Sequence, residues 1–184
     1  MRLIALCAAA CAAVITAFAV LAAPADAPAK GTALLQPGDR FLLAPIASRR
    51  TATWRWERLM GRRPTPALRS EVRSRSPQYR RWVLQLWTKR ARQARRLAAS
   101  PPRRAAWLCI HRYEGPWNDP HAPYYGGLQM DLHFQRLYGG ELLRRKGTAD
   151  RWTPLEQMWV AERAYRSGRG FYPWPNTARF CGLI

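Results

Sequence analysis

The stretch CIHRYEGPWNDPHAPYYGGLQMD, Cys109 to Asp131, decides how this chain is read. Trp107, Ile110 and Glu114 recur at i, i+3 and i+7, the spacing of a single helical face. They predict a helix over Arg104–Glu114 that stops at Gly115-Pro116. A carboxylate on the apolar face beside Gly115-Pro116-Trp117 is expected to be partly desolvated, and desolvation favours the protonated form that a general acid needs. The plainer alternative is a helix-terminal glutamate paired with an arginine. Both readings stay open at this level.

Working outward, Pro123-Tyr124-Tyr125-Gly126-Gly127 reads as a tight turn or short hairpin. Asp131 can cap a second helix carrying Met130, Phe134, Leu137 and Tyr138 on one side, with Gly139-Gly140 as its stop. Thr153-Pro154-Leu155-Glu156 is a capping box with proline at the first helical position. It opens a third helix expected to run to Ser167 and end at Gly168. Glu162 on that helix shares a face with Leu155, Met158, Trp159 and Tyr165; it competes with Glu114 for a catalytic role, against a buried ion pair between helices. The fold class is mainly α with a small irregular or β element.

Upstream the character changes. The 184 residues carry 31 basic and 11 acidic side chains, a net charge of +20. Residues 28–104 hold 20 of the basic ones against Asp39, Glu57 and Glu71, while residues 105–184 hold 10 against 7. The excess therefore sits in one middle block, and it calls for a polyanionic or anionic-surface partner. Only Lys30, Lys89 and Lys146 are lysines, so part of the charge reflects an arginine-rich composition. Residues 28–75, with Pro37-Gly38, Pro45 and Pro64-Thr65-Pro66, read as a basic Pro-rich linker holding a short amphipathic piece around Trp54-Arg55-Trp56. Residues 76–100 read as a basic amphipathic helix, capped by Ser76 with Pro77 at its first position and ended by Ser100-Pro101-Pro102. Residues 49–104 would then either adhere to anionic wall polymers or a membrane surface, or pack the Trp82/Leu86 face on the next domain. Nucleic acid is not expected, because residues 1–27 read as an export signal.

That signal consists of Arg2, an Ala-rich apolar run from Leu3 to Ala23, and a small-residue site near residues 22–27. An uncleaved membrane anchor over residues 3–23 is the alternative. Either way the protein is expected to be secreted or associated with the cell wall. Cys7 and Cys11 belong to this segment, which leaves Cys109 and Cys181 as the remaining pair. In an oxidising compartment they predict one disulfide closing a domain over residues 103–184. A metal site from Cys109, His111, His121 and His133 lacks any standard ligand spacing.

Taken together, Glu114, Trp117, the run YYGGLQMD at Tyr124–Asp131, EQMWVAERA at Glu156–Ala164 and Tyr172-Pro173-Trp174-Pro175 before Cys181 resemble the lysozyme-like domain of resuscitation-promoting factors and related transglycosylase-like proteins. Glu114-Gly115-Pro116-Trp117-Asn118 is similar to the Glu-Ser-x-Trp-Asn motif of soluble lytic transglycosylases. The resemblance spans about 75 residues. It implies an α+β lysozyme-like fold and cleavage of peptidoglycan glycan strands at the β-1,4 bond after N-acetylmuramic acid. Glu114 would be the single catalytic acid and base, with Gln129, Gly126, Gly127, Tyr124, Tyr125 and Trp117 along the substrate cleft and no metal or organic cofactor. The glycines would let the sugar chain approach the backbone closely. Asp119 and Asp131 are available as second carboxylates, but neither sits in a motif assigning that role.

Two positions depart from the pattern. In resuscitation-promoting factors the first cysteine directly precedes the glutamate; here Cys109 lies five residues before it, and Cys181 seven after Trp174. A four-residue step along a helix returns to nearly the same face, so the shifted pair is still expected to meet. Gly115 stands where transglycosylases usually have serine, which removes one hydrogen bond to substrate or glutamate. A non-catalytic wall-binding protein working through its basic N-terminal segment is the rival from another class, and a membrane-active cationic segment on an inert domain is a third.

Overall fold

The computed structural model describes residues 42–74 and 76–184. The expected export signal at 1–27 and the first part of the expected linker lie outside these residues. Seven helices and one hairpin follow in order: α1 (Leu43–Leu59), α2 (Arg69–Arg73), α3 (Pro77–Ala99), α4 (Arg104–Glu114), β1 (Tyr124–Tyr125), β2 (Met130–Asp131), α5 (Leu132–Lys146), α6 (Pro154–Ala164) and α7 (Pro175–Phe180). The strands are antiparallel, with Tyr124 opposite Asp131 and Tyr125 opposite Met130. The chain is mainly α, and Cys109 is bonded to Cys181. Among the described residues no helix is long and apolar enough to cross a membrane.

The start signals act as their chemistry requires. Ser76 accepts a hydrogen bond from the Tyr79 amide, Asp131 from the Phe134 amide at 2.7 Å, and Thr153 and Glu156 cap α6 reciprocally. The stop at Gly139-Gly140 is not used. α5 continues to Lys146 and bends at Gly139, with φ −125° and ψ 15°. Gly139 is there for packing, since a Cβ would lie 2.5 Å from the Trp152 ring. The helix ends instead at Gly147, whose φ of 85° suits glycine. Leu137, expected on the packed side, is exposed. α6 gives way at Tyr165 to a wider π-type turn that includes Gly168 at φ 96°.

Trp107 occupies the centre of the main core, fully buried, with ring centroids 5.0 Å from Phe171 and 5.2 Å from Trp174. Ile110, Leu128, Met130, Phe134, Met158 and Val160 close around them, so helices α4, α5 and α6 and the hairpin share one apolar centre.

The expected linker is corrected over its described part: residues 43–59 form a 17-residue helix. Its arginines obscure any helical period, because its apolar residues are spent at separate places on two neighbours. Ile46 and Trp54 pack with Val83 and Trp87 of α3; Trp56, Leu59 and Met60 pack with Ala94, Ala98 and Trp159. α3 is the expected helix, but its packed face is Arg80, Val83, Trp87, Ala91, Ala94 and Ala98, and Trp82 is exposed. Hydrogen bonds tie this layer to α6 and the turn after it, among them Trp159 Nε1 to Ala98 O at 2.7 Å, Arg163 to Leu59 O at 2.9 Å and Arg166 to Met60 O at 2.9 Å. Most of the basic block is thus a helical layer built onto the C-terminal core, not a loose tether.

Candidate active site

Glu114 is the last residue of α4 and is half-buried. Its Oε1 accepts a hydrogen bond of 2.7 Å from the Thr177 hydroxyl on α7. The short α7 is held against α4 at two more points. Cys109 and Cys181 are covalently joined with their Cα atoms 6.0 Å apart, and the exposed rings of Tyr113 and Phe180 lie 5.8 Å apart. Cys109 and Tyr113 are four apart on α4, as Thr177 and Cys181 are along α7, so these links follow adjoining faces. The carboxyl is therefore oriented by a hydroxyl whose own helix is anchored.

Gly115 leaves α4 with φ 154° and ψ −177°, a region essentially reserved for glycine. This gives the departure from serine a backbone cause. A Cβ here would lie 3.4 Å from Gln129 Nε2 and 3.6 Å from Asp119 Oδ2, ordinary contact distances, so the obstacle is torsional and not steric. Gly115→Ser is expected to lower stability by about 1–3 kcal/mol. Urea unfolding followed by circular dichroism checks this; an unchanged midpoint would show that the chain relaxes around the serine.

The same distances bring Gln129 and Asp119 up to the end of α4. Gln129 sits in the hairpin turn with φ 45° and donates from Nε2 to Asp119 Oδ2 at 2.8 Å and to Gly126 O at 3.0 Å. Asp119 also accepts from the His121 ring and from the His121 amide, while its own carbonyl receives the Gly126 amide at 2.8 Å. Hydrogen bonds from His121, then from Gln129, hold its carboxyl below the usual range, so it stays anionic. With both oxygens engaged, Asp119 acts as a latch between the loop after Glu114 and the turn bearing Gln129.

Gly126 and Gly127 are required by packing. Both are buried, and the room for a side chain is already filled: by the Gln157 amide, 2.6 Å from a Cβ at Gly126, and by His111 at 2.6 Å and Trp117 at 2.8 Å from one at Gly127. Their backbone is approached by the protein's own interior. Trp117 stacks on His111 at 3.9 Å and packs against the main core, as does Tyr125, while Tyr124 is exposed on the hairpin. Gln157, fully buried, holds this loop from below by donating to Trp117 O at 2.7 Å and Ala149 O at 2.8 Å. Of the expected cleft residues, the fold brings Glu114 and Gln129 to one place and sets Tyr124 and Tyr125 on the adjoining strand.

Glu162 is accounted for structurally. It is fully buried and accepts from Trp107 Nε1 at 2.9 Å, the Arg103 amide at 2.9 Å and the Arg103 guanidinium at 2.8 Å. Among the described residues no group of three or more His, Cys, Asp or Glu side chains is arranged to hold a metal ion. Comparisons with protein-family models, with curated proteins and with solved structures gave no match to this chain. One residue of the site escaped the sequence reading and another was legible only in part. Thr177 lies 63 positions from Glu114 with no motif to link them, and Asp119 was visible only as an available carboxylate. The Trp174-Pro175 start of α7 was the one local signal near Thr177.

Proposed function

We propose that the protein is an extracytoplasmic enzyme that cleaves peptidoglycan glycan strands at the MurNAc-GlcNAc β-1,4 bond, with Glu114 as its single acid and base. The observation that carries this reading is the half-buried Glu114 carboxyl held by Thr177 at the end of α4, with Gln129 beside the following residue. The sequence resemblance to transglycosylase-like domains supplies the substrate class. Glu114 protonates the leaving glycosidic oxygen as the bond breaks and then takes the proton of the incoming nucleophile. Thr177 fixes which oxygen faces the substrate. Asp119, already bonded to Gln129 and His121, positions Gln129 and leaves the scheme with one reacting carboxylate. The substrate's acetamido group can then stabilise the oxocarbenium-like centre, and its 6-hydroxyl can attack to leave an anhydro end. The Cys109–Cys181 bond suits an oxidising compartment, which supports the extracytoplasmic setting.

A wall-binding role without turnover is the second reading. It is favoured by the exposed cations Lys89, Arg92, Arg95 and Arg96 along α3. Digestion of purified peptidoglycan separates the two. Glu114→Gln is expected to reduce the release of soluble glycan fragments about a hundredfold, while mass spectrometry of wild-type fragments reads anhydro against hydrolysed ends. Equal release by wild type and variant, or none by either, sinks the enzyme reading. Retained binding without release would favour the second.

A further inference from the structure

A groove of about 720 Å³ opens between the second half of α1, α5 and the start of α6. None of its walls comes from Glu114, Thr177 or the hairpin. Its volume falls within the range of about 300–1,000 Å³ typical of small-molecule sites. Trp56, Leu59 and Leu155, which also pack on the cluster around Trp159, form its apolar lining. Gly140 adds open backbone: a Cβ there would meet nothing nearer than Arg144 at 3.8 Å.

Charge is distributed unevenly around this lining. Arg55, Arg58, Arg145, Lys146 and Arg163 face Glu141 and Glu156, a surplus of three cations. Both carboxylates are already engaged. Glu141 accepts from Arg145 at 3.2 Å and lies 3.8 Å from Arg58; Glu156 is held by Lys146 at 2.7 Å and by its place in the capping box. Among the described residues Arg163 is bonded only to backbone carbonyls, those of Tyr138, Leu59 and Arg58. Among the described residues no carboxylate lies within 4 Å of its guanidinium. Burial, and after it the neighbouring Arg166, brings its pKa down to about 10, with Glu141 acting in the opposite direction.

A purely polar anion would gain nothing from the Trp56–Leu59–Leu155 lining, and a neutral lipid would leave the surplus cations unanswered. We propose that this groove binds an anionic amphiphile, its alkyl chain along Trp56, Leu59 and Leu155 and its acidic head at the arginine rim. The site is separate from the glycan-cleaving reading and does not depend on it.

The test uses the full chain and dodecyl phosphate below its micellar concentration, followed by titration calorimetry and thermal unfolding. Dodecyl phosphate is expected to bind and raise the unfolding temperature, with dodecyl maltoside and inorganic phosphate each at least tenfold weaker. Gly140→Phe, which fills the groove, and Arg145→Glu, at an exposed rim position, should each weaken binding at least tenfold. Arg112→Glu on α4 and Glu114→Gln should leave it unchanged. Equal affinity for dodecyl maltoside or for inorganic phosphate overturns the proposal, as does binding that neither groove variant alters, or no binding. Should Gly140→Phe fail to fold, Arg145→Glu alone decides, because its side chain is more than half exposed.

Discussion

Glu162→Ala is expected to destabilise the protein by about 3–5 kcal/mol, enough to exhaust most of the stability of a domain this size. The carboxylate is fully buried and answers three donors from two sources: the Arg103 amide and guanidinium, and the Trp107 indole. Removing it strands the Trp107 N–H at the centre of the core. It also frees the Arg103 guanidinium, which sits 3.4 Å from the Tyr165 ring centroid with its side chain about one-third exposed. An uncompensated donor inside the protein costs more than the bond contributed when made, because no water replaces the lost partner. Chemical unfolding checks the result: the midpoint should fall steeply with the slope unchanged. Glu162→Gln, which keeps an acceptor for Trp107, should lose less and should retain the glycan cleavage proposed for this protein. A folded but inactive Glu162→Gln would show that the proposed site at Glu114 depends on the Trp107–Arg103–Glu162 network for its geometry.

The paired change Cys109→Ser/Cys181→Ser should cost about 4 kcal/mol, from the loop-closure entropy of the 72-residue separation. The effect is large because the closed loop is long; it also contains most of the main core, from Ile110 to Ala178. It should also reach the site, since α7 has six residues and depends on this bond, on the Tyr113–Phe180 contact and on the Thr177–Glu114 hydrogen bond to stay on α4. Comparing urea midpoints of the oxidised protein and the double variant tests the stability; cleavage below the variant's unfolding midpoint tests the link to Glu114. Equal midpoints would mean that packing alone holds α7.

The parts legible in the sequence are those whose causes are local. Ser76-Pro77 opens α3, Thr153–Glu156 opens α6, and Gly115-Pro116 closes α4 immediately after Glu114. Each reports a side chain meeting a backbone group within a few residues, so spacing suffices. The cysteine pairing was legible for another reason: with Cys7 and Cys11 assigned to the apolar N-terminal run, one pairing remained. Gly139-Gly140 misled because a glycine pair reads as a helix end. Here the absent side chain makes room for Trp152, thirteen residues on from Gly139, and nothing local records that.

What the sequence by itself determined, then, is a mainly helical chain, the position of Glu114 at a helix end, and a cysteine pair spanning the domain. Only the tertiary structure decided that α1 exists, that Thr177 and not an arginine holds Glu114, that Asp119 latches Gln129, and that Gly126 and Gly127 make room for Gln157, His111 and Trp117. The physical reason is the same each time. Caps, turns and helical faces depend on residues a few positions apart, whereas burial and the partner of a side chain depend on segments that meet only when the chain is folded.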